Sequence, residues 1–174
     1  MARLFVCVAM AVVWWLAAAA WPELPERMPV HFDLEGRPDA WVAKSAPSWF
    51  LPPALATALG LLLAFGLPAW VGRLARRNSP WLNVPDRAAF RALPEESRVR
   101  AAVPPLGWLA ALGVALQLLF AWFVHASAQI AHGAWRELPT GPTWLLLALV
   151  MCTAFALALA SARSVRREVA RAAA

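Results

Sequence analysis

Charge is scarce in this sequence, and where it is missing says more than how little there is. Only 15% of the 174 residues are charged and 61% are hydrophobic. A soluble domain has about a quarter charged and roughly half apolar. Four blocks, 4–21, 50–71, 104–126 and 143–162, contain no Asp, Glu, Lys or Arg. Each is long enough to cross a hydrocarbon core of about 30 Å as a helix rising about 1.5 Å per residue. This pattern excludes a separate soluble domain. It predicts an all-α integral membrane protein, a single membrane domain over 1–174 built as a four-transmembrane-helix bundle. Intramembrane hydrolysis and ion-coupled transport need ionisable groups at membrane depth, and their absence argues against both. Cysteine is nearly absent too. Cys7 and Cys152 lie within apolar blocks at different depths, so they read as packing residues and not as a structural disulfide. There is no phosphate-binding glycine loop, dinucleotide fingerprint, nucleophile elbow, HExxH or paired-cysteine spacing. No catalytic residue and no cofactor is expected.

What charge there is alternates with the apolar blocks. Segment 72–103 holds Arg73, Arg76, Arg77, Arg87, Arg91, Arg98 and Arg100, and the tail holds Arg163, Arg166, Arg167 and Arg171. Loop 22–49 carries five acids against three bases, and loop 127–142 one Arg and one Glu. By the positive-inside rule, both termini and 72–103 are cytoplasmic, with 22–49 and 127–142 outside. The net charge of +6 is thereby read as topology, not as nucleic-acid binding, and membrane lipid with anionic head groups is a natural partner. Arg3, the apolar stretch and Ala17 to Ala20 imitate a signal peptide. The bulky Trp14, Trp15 and Trp21 and the charge alternation favour a retained first span.

The loop from Trp21 to Trp49 is too elaborate for a plain connector. Met28 to Leu34 alternates apolar and polar positions, Glu35-Gly36-Arg37-Pro38 supplies a turn, and Ala40-Trp41-Val42 can return. This predicts a small ordered β-hairpin between the first two helices. Alternation places His31, Asp33 and Glu35 on one face. His125 and His132 also fall outside, so His31, His125 and His132 are candidate metal ligands. They support an alternative reading as a metal-dependent membrane enzyme or metal sensor. Span two is expected to open at Trp49, with Pro52 and Pro53 in its first turn and Pro68 kinking its far end. Gln117, polar and mid-span, reads as an interhelical hydrogen-bonding residue. On the basic side, Asp86 should cap a helix over 87–92, and Pro94-Glu95-Glu96 should begin another.

The outer string Leu24-Pro25-x-x-x-Pro29-x-His31-Phe32-x-x-x-Gly36-x-Pro38-Asp39-x-Trp41 resembles the bacterial membrane family known as domain of unknown function 1648, whose relatives include the SdpI-type immunity proteins. A second stretch, Asn83-Val84-Pro85-Asp86, then Phe90, then Leu93-Pro94-Glu95-Glu96, is similar to that family's cytoplasmic element. The resemblance implies a bacterial cytoplasmic (inner) membrane protein with the first string on the outer face. SdpI-type proteins protect a producing cell from a secreted toxic peptide and can hold a repressor at the membrane, but they carry more than four spans. The implied function is non-enzymatic: an SdpI-like binder or receptor, or an accessory subunit of a larger membrane assembly. Its partner would be a secreted peptide or another membrane protein, and not nucleic acid. The implied partner-binding residues are His31, Phe32, Asp33, Gly36, Pro38, Asp39 and Trp41. The implied cytoplasmic element comprises Asn83, Pro85, Asp86, Phe90, Pro94 and Glu95.

Overall fold

A computed structural model describes residues 1–173. Helix α1 spans Ala2–Ala20 and continues as a 3-10 turn, Trp21–Glu23. Strands β1 (Arg27–Phe32) and β2 (Pro38–Ala43) follow, then α2 (Ala46–Leu61), a π-helical turn (Leu62–Gly66) and α3 (Leu67–Arg76). Two short helices, α4 (Arg87–Ala92) and α5 (Glu95–Ala102), precede α6 (Gly107–Ala131) and α7 (Thr140–Ala173). Among the described residues, four helical stretches are long and apolar enough to cross a membrane: Ala2–Glu23, Ala46–Arg76, Glu95–Ala131 and Thr140–Ala173. The hairpin expected between the first two helices is present as an antiparallel pair.

The second of these stretches departs from expectation where it begins. It begins at Ala46, three residues before Trp49, because extended Ser45 (φ −148°) caps it and accepts the Ser48 N–H at 3.4 Å. Pro47 takes the first turn, and Pro52 and Pro53 fall inside the helix, where they remove two backbone donors. At the far end, Pro68 cannot donate to the Ala64 carbonyl and its ring crowds it. The chain widens just before it: the Leu67 N–H bonds to the Leu62 carbonyl, five residues back. A single π-turn absorbs such a defect without ending the helix.

Helix α6 is the hub, packing against α1, α2 and α7. Its packing on α2 leaves no room for a side chain at Gly60, where a Cβ would lie 2.8 Å from Gln117 Nε2 and 3.0 Å from Met10 Sδ. Into that space Gln117, 1% exposed, donates from Nε2 to the Ala56 carbonyl at 2.5 Å. Val6 of α1, fully buried, faces both Gly60 and Gly113. Three helices thus meet at small residues. Such packing joins helices where the surrounding medium is itself hydrocarbon and hydrophobic burial gives little. Nearer the hairpin, Trp49 Nε1 donates to the Ala17 carbonyl at 2.9 Å, tying α2 to α1. Trp14 Nε1 donates to Thr57 Oγ1 at 2.8 Å, and Thr57 Oγ1 donates in turn to the Pro53 carbonyl at 2.9 Å.

The end opposite the hairpin is a packed platform, not a tether. Ala75, Phe90, Leu93, Ala101, Ala102 and Val165 form a small core there. Asp86, in left-handed conformation (φ 49°), caps α4 by accepting the Ala89 N–H at 3.4 Å. Glu95 and Glu96 stand in the first turn of α5. The 34 residues of α7 far exceed the roughly 20 that a hydrocarbon core needs. From Arg163 onward the helix lies beyond its apolar block and packs on α5. There Glu168, 6% exposed, receives Arg100 Nε at 3.2 Å and an Arg171 guanidinium nitrogen at 2.5 Å. Burial pushes the Glu168 carboxyl pKa up, but the hydrogen bonds and charges of Arg171 and Arg100 outweigh it and hold the group below its usual range.

We predict that Gly60→Ala destabilises the protein in detergent because its methyl enters the space of the Gln117 amide. Gln117→Ala should cost about 1 kcal/mol. The double variant should recover part of the loss, with a coupling of about 0.5–3 kcal/mol, and strict additivity would refute the contact. The depressed Glu168 carboxyl contributes stability above its ordinary pKa of about 4.3, and that contribution is lost as pH falls through the lower folded value. A fluorophore pair on α5 and α7 should separate only below about pH 4, and Glu168→Gln should remove the transition.

Candidate functional site: an apolar groove beneath the hairpin

The hairpin is pinned at both ends. At its base, Leu24 and Met28 are buried with Val13, Ala17, Trp49, Ala56, Val124 and Ala128 of the helices. Lys44 Nζ donates to the Leu24 carbonyl at 2.8 Å and lies 4.9 Å from the centre of the Trp21 ring. At its tip, Gly36 adopts φ +86°, and a Cβ there would lie 2.5 Å from the Leu138 carbonyl oxygen. The Gly36 carbonyl accepts the Leu138 N–H at 2.7 Å. Arg37 and Glu137 add an ion pair at 3.9 Å. Leu138 is itself buried with Ala126 and Ile130, against Phe32, Trp122, Phe123 and Trp135. The two connectors 21–45 and 132–139 are therefore one structure.

Within the hairpin the pairing slips between Pro29 and His31 and again between His31 and Phe32. Pro29 has no N–H to give the ladder, and irregular pairing collects at such positions. The regular alternation expected of 28–34 is broken in consequence. Asp33 and Glu35 belong to the turn and do not share a strand face with His31. Asp33 Oδ1 accepts the Arg37 N–H at 2.7 Å, and the Asp33 carbonyl accepts the Gly36 N–H at 3.0 Å. The carboxylate that meets His31 is Asp39, across the hairpin, with Oδ1 2.6 Å from His31 Nδ1.

Beneath β1 lies a groove of about 510 Å³, walled by Met28 to Phe32, by Ser48, Trp49, Leu51 and Pro52 at the start of α2, and by Phe120, Phe123, Val124 and Ser127 of α6. It is mostly apolar, with His31 and the hydroxyls of Ser48 and Ser127 as its polar side chains. Of the expected partner-binding residues, His31 and Phe32 face it. Asp39 holds His31, and Asp33 and Gly36 build and dock the turn. Pro38 pairs with Phe32 and Trp41 with Pro29. In the second family-like stretch, 83–96, Phe90 is buried, Asp86, Pro94 and Glu95 shape helix starts, and Asn83 and Pro85 are exposed. The three histidines do not converge. His125 lies 5.5 Å from Trp135 and 6.4 Å from Trp122 between ring centres, and His132 is exposed beyond α6. Among the described residues, no group of three or more His, Cys, Asp or Glu is placed to hold a metal ion. Phe120, Phe123 and Ser127 were not singled out by the sequence. Their spacing marks one face of α6, which looks the same whether it meets lipid, another helix or a ligand.

The turn and the rim should respond differently to mutation. Gly36→Ala should cost about 1–2 kcal/mol from its backbone conformation alone, with more from the Leu138 contact, seen as a lower melting temperature in detergent. Asp39→Asn removes a pair whose side chains are 47% (Asp39) and 69% (His31) exposed and should change stability by less than about 1 kcal/mol. Equal losses from the two would overturn this division.

No curated protein and no solved structure matches the chain. A family model, described as Domain of unknown function (DUF1648), matches residues 8–57. That segment takes in most of α1, the whole hairpin and the start of α2, and it supplies β1 and the α2 wall of the groove. It ends before the platform, so stretch 83–96 stands outside the match. The chain thus carries a match to the DUF1648 domain over residues 8–57, through its first helix, its hairpin and the start of α2.

Proposed function

We propose that this protein is a non-enzymatic integral membrane protein, a four-helix bundle crossing the bacterial cytoplasmic membrane with both termini cytoplasmic. It binds a secreted amphipathic peptide at its outer face, as an SdpI-like binder. One observation carries this reading: the hairpin bearing the family-like residues is also the roof of the apolar groove, with His31 and Phe32 on its wall. A volume near 510 Å³ falls in the range of pockets that take a small molecule or a few side chains. Apolar side chains of a peptide would enter between Phe120, Phe123 and Leu51, while the exposed His31–Asp39 pair would meet its polar groups at the rim.

The topology rests on the arginine distribution and on the apolar side chains left bare on the helices. Leu145, Met151 and Phe155 of α7 are each more than 60% exposed. Such surface is costly in water and at home in hydrocarbon. Because β1, α2 and α6 all wall the groove, a ligand seated there contacts three elements at once. It can shift the spans only if it binds two arrangements with different affinity.

Photocrosslinking tests the site. A photoreactive residue at Val30, on the groove wall, should yield a peptide adduct in native membranes, and one at Trp81, at the opposite end, should not. Ser127→Trp, which fills the groove, should abolish the adduct. An adduct to a resident membrane protein would favour an accessory-subunit role at the same groove. Adducts to lipid alone would overturn peptide binding.

A further inference from the structure

At the end away from the hairpin, a second groove of about 600 Å³ runs between α5, α6 and α7. Its wall changes character along α7. Ala156 and Leu159 are apolar, and Arg163, Arg167 and Arg171 follow at four-residue spacing, which keeps them near one face. Trp108 of α6, 43% exposed, and Arg100 of α5 line the groove as well. Among the lining residues four guanidinium groups face a single carboxylate, Glu168, while exposed Glu96, outside the lining, lies 3.8 Å from Arg100.

The Glu168 carboxylate is mostly buried and holds Arg100 and Arg171 in place from two different helices. Arg163 and Arg167 form no ion pair among the described residues. The groove therefore carries an excess of three positive charges, two of them on unpaired side chains. Topology alone asks for arginines on this side but not for a groove to gather them; Arg166, equally basic, lies outside it. The apolar-to-basic change falls at the end of the apolar block of α7, where the hydrocarbon would give way to head groups. Trp108 lies beside it, and aromatic rings concentrate at that level.

We propose that this groove binds the head group of an anionic phospholipid of the cytoplasmic leaflet. Its phosphate would sit between Arg100, Arg163 and Arg167, with an acyl chain along Leu159 and Trp108. Basic grooves between membrane helices suit such head groups. A soluble phosphate compound shares the charge but not the need for the apolar half. The inference rests on the membrane-spanning reading and not on the outer groove, so Ser127→Trp should leave it intact.

Native mass spectrometry of the full chain in maltoside detergent tests this, with phosphatidylglycerol or phosphatidylcholine of matched acyl chains added. The wild type should take up phosphatidylglycerol preferentially. At about fivefold per arginine, Arg163→Gln with Arg167→Gln should weaken phosphatidylglycerol binding about 25-fold and leave phosphatidylcholine binding unchanged. Arg91→Gln with Arg166→Gln removes the same charge outside the groove and should weaken it less than about twofold. Circular dichroism confirms the fold of each variant, and the single variants, at about fivefold each, replace the double if it does not fold. Equal losses in the two doubles, equal uptake of the two lipids, or displacement of phosphatidylglycerol by millimolar inorganic phosphate would each overturn the proposal.

Discussion

The arrangement depends on the contact of α2 with α6 at Gly60. A membrane helix satisfies its own backbone, so little holds it to a neighbour except shape and the occasional polar bond. Gln117 supplies that bond by reaching the Ala56 carbonyl, and Gly60 leaves the room for it. Val6 of α1 packs beside the same glycine and beside Gly113, and so touches both helices. With α6 in place, its hairpin-end half becomes one wall of the apolar groove, and its start, at Trp108, borders the basic one.

The two connectors at the hairpin end form the second fixed point. A two-stranded hairpin is marginal by itself in water, and this one has an interrupted ladder. Its order comes from Met28 and Leu24 driven into the helix core and from Gly36 docked on Leu138. Many of the family-like residues are therefore occupied in building the loop. Of the residues expected to bind a partner, His31 and Phe32 are left facing the groove. The chain thus presents different chemistry at its two ends: an apolar groove with a polar rim at one, and at the other a basic groove whose inner half is apolar.

The helices were legible because their signal is one of length and missing charge. Hydrocarbon tolerates no ionised side chain without partners, so an apolar block of 18 or more residues leaves few alternatives. The hairpin was legible from its alternation and from Gly36. Gln117 could be read because a lone amide in an apolar helix must find a partner. The start of α2 was misplaced because Ser45 caps the helix one turn before the apolar block begins. The shared face of His31, Asp33 and Glu35 failed because β1 ends at Phe32 and the two acids fall in the turn. The histidines stayed apart because an outer position limits depth but not direction around a helix, and His125 turns toward Trp135.

By itself, then, the sequence determined which segments are apolar enough for hydrocarbon, how many helices are long enough to cross it, and which segments carry the arginines. These follow from solvation, which acts residue by residue and leaves its mark on composition. The tertiary structure alone decided that α6 is the hub, that Asp39 is the partner of His31, that two connectors form one cap, and that Arg100 joins the arginines of α7 in a groove. These are contacts between segments far apart in the chain. They depend on the rotation of each helix and on gaps as small as a missing methyl at Gly60, and neither is written in any local pattern.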